Sequence, residues 1–123
     1  MYTLDTNAVL YYLEDDPDAV TVLQGIFAQN VPLYVSAVTE LELFAFSTPT
    51  TEEQKLIEEI LTTVSVIPLD SRMARLAAFV RREYRLKVAD SVIAATALFT
   101  GSALVTRNTR DFRGVARLSL VEV

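Results

Sequence analysis

Tyr2-Thr3-Leu4-Asp5-Thr6-Asn7-Ala8-Val9-Leu10 joins a strand to a helix within nine residues. Residues 2–4 read as a short strand. Asp5-Thr6-Asn7 then opens a helix to about residue 13, since aspartate is a favoured N-cap. The same strand-to-helix change recurs along the chain. After the break at Asp15-Asp16-Pro17-Asp18, Pro17 suits a helix start, and Val20, Leu23, Ile26 and Phe27 keep helical spacing until Asn30-Val31-Pro32. Residues 33–36 read as a strand and 39–46 as a helix with Leu43 inward. A turn with Pro49 spans 47–51, an amphipathic helix 52–61, and a strand 64–67, stopped by Pro68. Asp70 or Ser71 caps a helix with Met73, Leu76, Ala77 and Val80 on one face. Arg72, Arg75, Arg81, Arg82 and Arg85 lie mostly off that face. Asp90 opens a nearly all-apolar helix to about residue 99, expected to be buried on most sides, and Gly101 ends it. A strand at 103–106, a polar loop at 107–114 and a last strand at 118–123 complete the chain. Such alternation implies one α/β domain over residues 1–123, a parallel sheet with helices on both faces. Sheets of this kind bind ligands beyond the carboxyl ends of their strands.

The composition narrows the chemistry. A chain of 123 residues that is 51% hydrophobic can build a real core. No apolar run approaches the roughly 18 residues of a membrane span, so no membrane partner is expected. The N-terminus does not read as a signal peptide. There is no cysteine, which excludes disulfides and thiolate metal sites and makes a cytoplasmic location the expectation. There is no histidine either, which removes serine–histidine and histidine-pair hydrolysis. Hydrolytic chemistry must run on carboxylates, a lysine or a bound metal, and oxygen ligands suit Mg²⁺ or Mn²⁺. The net charge of −5 argues against a nucleic-acid partner, but its distribution is uneven. Residues 1–70 hold twelve acids and one base, a net of −11. Residues 71–123 hold four acids and ten bases, a net of +6, and nine of those bases are arginine. That asymmetry is either ordinary solvated surface or a basic lane beside an acidic site.

Four acids fall where such a site belongs. Asp5 follows the first strand, Glu42 lies in the helix after the second, Asp111 follows the strand at 103–106, and Asp90 starts the helix leading into that strand. In a right-handed parallel fold these positions share one edge. Each has a plainer reading. Asp5 and Asp90 could cap helices, Thr39 and Glu42 could form a capping box, and Asp111 could sit in a turn. Their conjunction is what points to function. Four acids at one partly buried edge repel, and a divalent cation resolves the conflict while supplying what a histidine-free hydrolase needs.

The chain resembles the PIN domain, and specifically the VapC-type toxins of toxin–antitoxin pairs. The resemblance rests on four segments in order: Leu4-Asp5-Thr6-Asn7, residues 35–43 (VSAVTELEL), residues 90–97 (DSVIAATA) and residues 105–112 (VTRNTRDF). It implies a five-stranded parallel sheet and a Mg²⁺- or Mn²⁺-dependent endoribonuclease acting on single-stranded or loop RNA. It further implies acidic roles for Asp5, Glu42, Asp90 and Asp111, with Asp5 and Asp90 holding the principal ion. Thr6, Asn7, Thr106 and Asn108 would be supporting polar residues. Glu42 rather than Glu40 matches the family spacing, and two residues turn a helix by about 200°, so the two cannot share a face. Asn108 stands where some relatives carry another acid, and Ser91 where alanine is usual. Phe44 and Phe46 read either as core or as an aromatic surface for a second subunit or an antitoxin. Arg72, Arg75, Arg82, Arg107 and Arg110 are candidates for holding an RNA backbone. A VapB-like antitoxin and a homodimer are the partners the family implies. Two other readings stand beside this one: a catalytically silent PIN module that binds RNA or a protein, and a signalling module phosphorylated on the aspartate after strand one.

Overall fold

The computed structural model describes residues 1–45 and 50–123. In chain order the elements are β1 (Tyr2–Leu4), α1 (Thr6–Leu13), α2 (Pro17–Ala28), β2 (Leu33–Ser36), α3 (Ala37–Ala45), α4 (Thr51–Thr62), β3 (Ser65–Ile67), α5 (Ser71–Tyr84), α6 (Val88–Thr100), β4 (Ala103–Thr106), α7 (Thr109–Phe112) and β5 (Leu120–Glu122). The five strands form one sheet in the order β3-β2-β1-β4-β5, and every pairing is parallel. Parallel strands need crossovers, and here helices provide them, so both faces of the sheet are covered.

Alternation along the strands builds two cores. Leu4, Val35 and Val105 point to one face and pack with Ala8, Val9, Leu23, Ile26, Leu43, Ile57 and Ile60. Leu104 points to the other and joins Met73, Val80, Val92, Ile93, Phe112 and Val115. Full burial of each large apolar side chain contributes roughly 1.5–3 kcal/mol. On α6 every residue from Ser91 to Ala97 is buried, as its composition implied. Its alanines let it lie close against α5, β1, β2 and β4.

Some boundaries differ from the sequence expectation, each for a local reason. Helix α3 begins at Ala37, two residues early, where the Ser36 hydroxyl accepts the Val38 N–H at 3.0 Å. Helix α6 begins at Val88 rather than Asp90. Its N-cap is Lys87, which offers no side-chain cap. The loop expected at 107–114 contains one helical turn, α7, pinned by buried Phe112. Four residues are too few for a period to show. Strand β5 is shorter than 118–123, because Leu118 donates to Val115 in a turn and Arg117 is left-handed (φ 66°). Phe44 is 37% exposed, which corrects the core reading for that residue. The end of the helix expected at 39–46, Phe46 included, and most of the following turn lie outside the described residues.

Strand order also locates a crevice. The chain winds from β1 outward through β2 to β3, then returns to β4 on the other side of β1. Between β1 and β4 the connections leave in opposite directions, the place where open α/β sheets hold ligands. Leu4 pairs with Val105, and the Asp5 N–H donates to the Val105 carbonyl at 3.1 Å. Asp5 and Thr106 therefore stand at the mouth of that crevice.

Candidate active site

Asp5 is 6% exposed. It is the N-cap of α1, and its Oδ1 accepts the Ala8 N–H at 2.7 Å. The capping reading and the site reading hold together here, since the cap aims the carboxylate at the crevice. Burial pushes its pKa above the usual carboxylate value. The Thr106 hydroxyl and the Ala8 N–H pull it back, while the charges of Asp90 and Glu42 push it further up. Asp90 is half-buried in the first turn of α6. Burial again raises its pKa, and Asp111 and Glu42 add to the rise against the opposing Lys87. Four acids far apart in the chain thus feel one another's charge at one edge.

Each of the other carboxylates has its own support. Glu42 Oε1 accepts from the Thr6 hydroxyl at 2.6 Å, and the Thr39 and Thr6 hydroxyls are 3.1 Å apart. Thr39 is wholly buried inside α3, so there is no capping box at 39–42. A capping box does occur at Thr50–Glu53 on α4. Glu40, two residues before Glu42, has no part in this arrangement. Asp111 is exposed on α7, and its Oδ2 accepts from the Asn108 amide at 2.8 Å. The Thr106 hydroxyl also accepts the Asn108 N–H at 3.0 Å. Asn7 is exposed and lines, with Asp5, Tyr11, Arg107 and Asn108, a polar cleft of about 240 Å³. Larger apolar grooves, such as the one lined by Tyr12, Leu13, Phe27, Leu33, Leu56 and Ile60, lie elsewhere.

The arginine candidates separate. Arg107 is committed within the chain. Its guanidinium donates to both Asp16 oxygens (2.7 and 3.1 Å), its Nε donates to the Val123 carbonyl (2.9 Å), and its Cζ lies 4.0 Å from the Tyr11 ring centroid. It buttresses the cleft wall with few donors left for an outside phosphate. This contact holds Asp16 at a pKa of about 2. Arg72, Arg75 and Arg82 are exposed on α5, and Arg110 on α7. Reading by elements missed the Asp16–Arg107 clasp, because no local signal links residues 91 positions apart. It also missed Thr39, whose spacing to Glu42 imitated a cap.

The donor set suits a hard divalent cation in kind: carboxylates, hydroxyls and amides, with two aspartates whose pKa values are raised by burial and by neighbouring acids. Among the described residues no three acids gather closely enough to enclose an ion. Mg²⁺ commonly binds through one or two carboxylates and keeps several waters, and Asp5 and Asp90 fit that pattern. Among the described residues no helix is long and apolar enough to cross a membrane.

Solved structures share this architecture. A toxin–antitoxin complex from Klebsiella pneumoniae contains a chain 28% identical to this one, with all of both chains covered and a TM-score of 0.83. FitAcB from Neisseria gonorrhoeae matches at 26% identity, covering 99% of this chain and 97% of that one, with a TM-score of 0.77. VapBC2 from Rickettsia felis, solved with a DNA fragment of its promoter, matches in fold at 22% identity, covering 99% and 98%, with a TM-score of 0.82. No curated protein matches the chain by sequence. A sequence profile covers residues 2–118, and by it the chain belongs to the PIN-domain family.

Proposed function

We propose that this protein is a metal-dependent endoribonuclease, the toxin of a VapBC-like toxin–antitoxin pair, cleaving single-stranded or loop RNA at the edge formed by Asp5, Glu42, Asp90 and Asp111. The observation that carries the reading is electrostatic: Asp5 and Asp90 are both pushed up by burial and by neighbouring acids, in a chain without histidine or cysteine. Asp5 and Asp90 would hold Mg²⁺ or Mn²⁺ directly, with Glu42 and Asp111 acting through water. When bound, the ion acidifies water and offsets charge on phosphoryl oxygens. The chain's own residues do the positioning. The Ala8 N–H and Thr106 fix Asp5, Thr6 fixes Glu42, and Asn108 fixes Asp111. Asn7 and Tyr11 border the cleft where a nucleotide would enter, and Arg110, exposed and next to Asp111 in the chain, would meet its phosphate.

The toxin part of the reading is supported by family membership together with a neighbour, 28% identical, solved in a toxin–antitoxin complex. A VapB-like antitoxin and a second copy of the chain are the expected partners, and RNA the substrate. PIN-family membership leaves the phosphorylated-aspartate reading without support.

The test is cleavage of structured and unstructured RNA by purified protein with Mn²⁺ and with chelator. Cleavage that needs Mn²⁺ and disappears in Asp90→Asn is the expected result. Activity indifferent to chelator would remove the metal. Mn²⁺ binding and RNA binding without cleavage in any condition would favour the silent module.

A further inference from the structure

The carboxylate edge is not the only place where like charges crowd. Ala78, Arg81, Arg82 and Arg85 occupy positions i, i+3, i+4 and i+7 of one helical face at the C-terminal end of α5. Together they line a groove of about 480 Å³, with a small residue, Ala78, among its lining. All three arginines are exposed. Among the described residues the only ion pair is Arg107–Asp16, so no acid neutralises them. Arg81 and Arg85, four apart, repel each other. Arg81 gives one N–H to the Leu86 carbonyl at 2.6 Å, which pins its guanidinium and leaves its other N–H groups free.

A second observation is independent of charge. Arg85 is the C-cap of α5 in the left-handed conformation (φ 56°, ψ 37°), with its N–H on the Arg81 carbonyl. Helices that end this way favour glycine, because only glycine escapes the Cβ clash. Arg81 and Arg82 already complement the helix dipole in the last turn, so capping does not need a third cation. Glycine would end this helix without the Cβ clash, so the arginine at position 85 adds a third charge to the groove at a local backbone cost.

We propose that Arg81, Arg82 and Arg85 form a phosphate-backbone site for the RNA substrate, separate from the carboxylate edge. Guanidinium groups match phosphate oxygens bidentately, and three of them along one helical face can track successive phosphates. This rests on the RNA reading given above, and it deepens that reading by assigning where backbone affinity arises.

The experiment is fluorescence anisotropy of a short labelled single-stranded RNA, and of the matched DNA, across a salt series with chelator present so that nothing is cut. Arg85→Gly alone should melt at the same temperature as the parent or higher, yet bind RNA a few-fold more weakly. Arg82→Gln/Arg85→Gly should bind about tenfold more weakly and lower the slope of log affinity against log salt by about 1.4, or about 0.7 for each phosphate that is no longer neutralised. Lys55→Gln, which removes one positive charge on α4, should leave the slope unchanged. A loss of affinity confined to RNA assigns the site to RNA, and an equal loss with DNA assigns it to backbone phosphate of either kind; both support it. A double variant that keeps the parent's affinity and slope overturns the site while leaving the RNA reading intact. A parent protein with no salt-dependent RNA affinity overturns the RNA reading itself.

Discussion

Two aspartates in this chain do the same local job and end in opposite electrostatic states. Asp5 caps α1 through the Ala8 N–H, and Asp16 caps α2 through the Ala19 N–H. Asp16 meets Arg107 and is held at a pKa of about 2. Asp5 is buried beside Asp90 and Glu42 and is pushed the other way. Capping therefore does not fix the electrostatic state of an aspartate. What separates them is the charge that the fold brings to the carboxylate. Asp16 meets a cation within the chain, whereas Asp5 has the Ala8 N–H and the Thr106 hydroxyl as donors but two acids as its charged neighbours.

The largest expected effect breaks the comparison on the side of the acids. Asp90→Asn should lower metal-dependent RNA cleavage about a hundredfold or more, the scale of losing a group that acts directly at the reacting centre. The fold should persist, because the Asp90 carboxylate caps nothing. Mn²⁺ titration by calorimetry on the same variant should show weakened binding. Full cleavage in Asp90→Asn would separate Asp90 from the chemistry. A smaller loss, about tenfold, is expected for Thr6→Val. It removes the hydroxyl that orients Glu42 without touching any carboxylate, and supporting groups around metal sites typically matter by roughly 10–100-fold. Its signature is a lower kcat with the affinity for RNA in chelator unchanged.

The same substitution at the two caps sharpens the contrast further. Asparagine caps a helix as well as aspartate does, so each change removes charge and spares the cap. In chelator, Asp5→Asn should raise the melting temperature, because it relieves repulsion with Asp90 and Glu42. Asp16→Asn should lower it, because it leaves Arg107 without its partner. Saturating Mn²⁺ should stabilise the parent by RT ln(1 + [Mn²⁺]/Kd) and Asp5→Asn much less. Melting shifts of the same sign in both variants would mean that the caps, not the charges, dominate.

Much of this architecture was legible from the chain because its elements are locally consistent. Residues 6–13 carry an N-cap and an apolar period together, and the structure has α1 at Thr6–Leu13. The strand at Ala103–Thr106 lies between Gly101 and a polar loop and was equally plain. That Asp5, Glu42, Asp90 and Asp111 lie within reach of one another's charge followed from topology once the sheet was parallel. What could not be read was tertiary. Thr39 looks like a cap until the fold buries it against Thr6. Arg107 looks like a phosphate ligand until Asp16, Tyr11 and Val123 converge on it. The Arg81–Arg82–Arg85 face was visible as charge, but the left-handed backbone at Arg85 was not. Long-range partners and backbone strain leave no periodic trace in a sequence.

The smallest expected effect is the pH dependence of the satisfied cap. The pKa of Asp16 is about 2 in the folded chain against 3.8 for the ordinary group. A carboxyl with a lowered folded pKa contributes stability that is fully present above the unfolded value and is lost as pH falls through the folded one. The parent should therefore lose this contribution between about pH 4 and pH 2, and the loss should shrink at high salt, where solvent-accessible ion pairs are screened. Asp16→Asn has no such carboxyl, so its stability should fall less steeply over that window. Thermal melts of both proteins from about pH 5 down to about pH 2, at low and high salt, measure the difference. Parallel curves at low salt would show that the Arg107 clasp fixes geometry at the cleft wall without adding stability, and that the two aspartates differ in surroundings but not in energetic consequence.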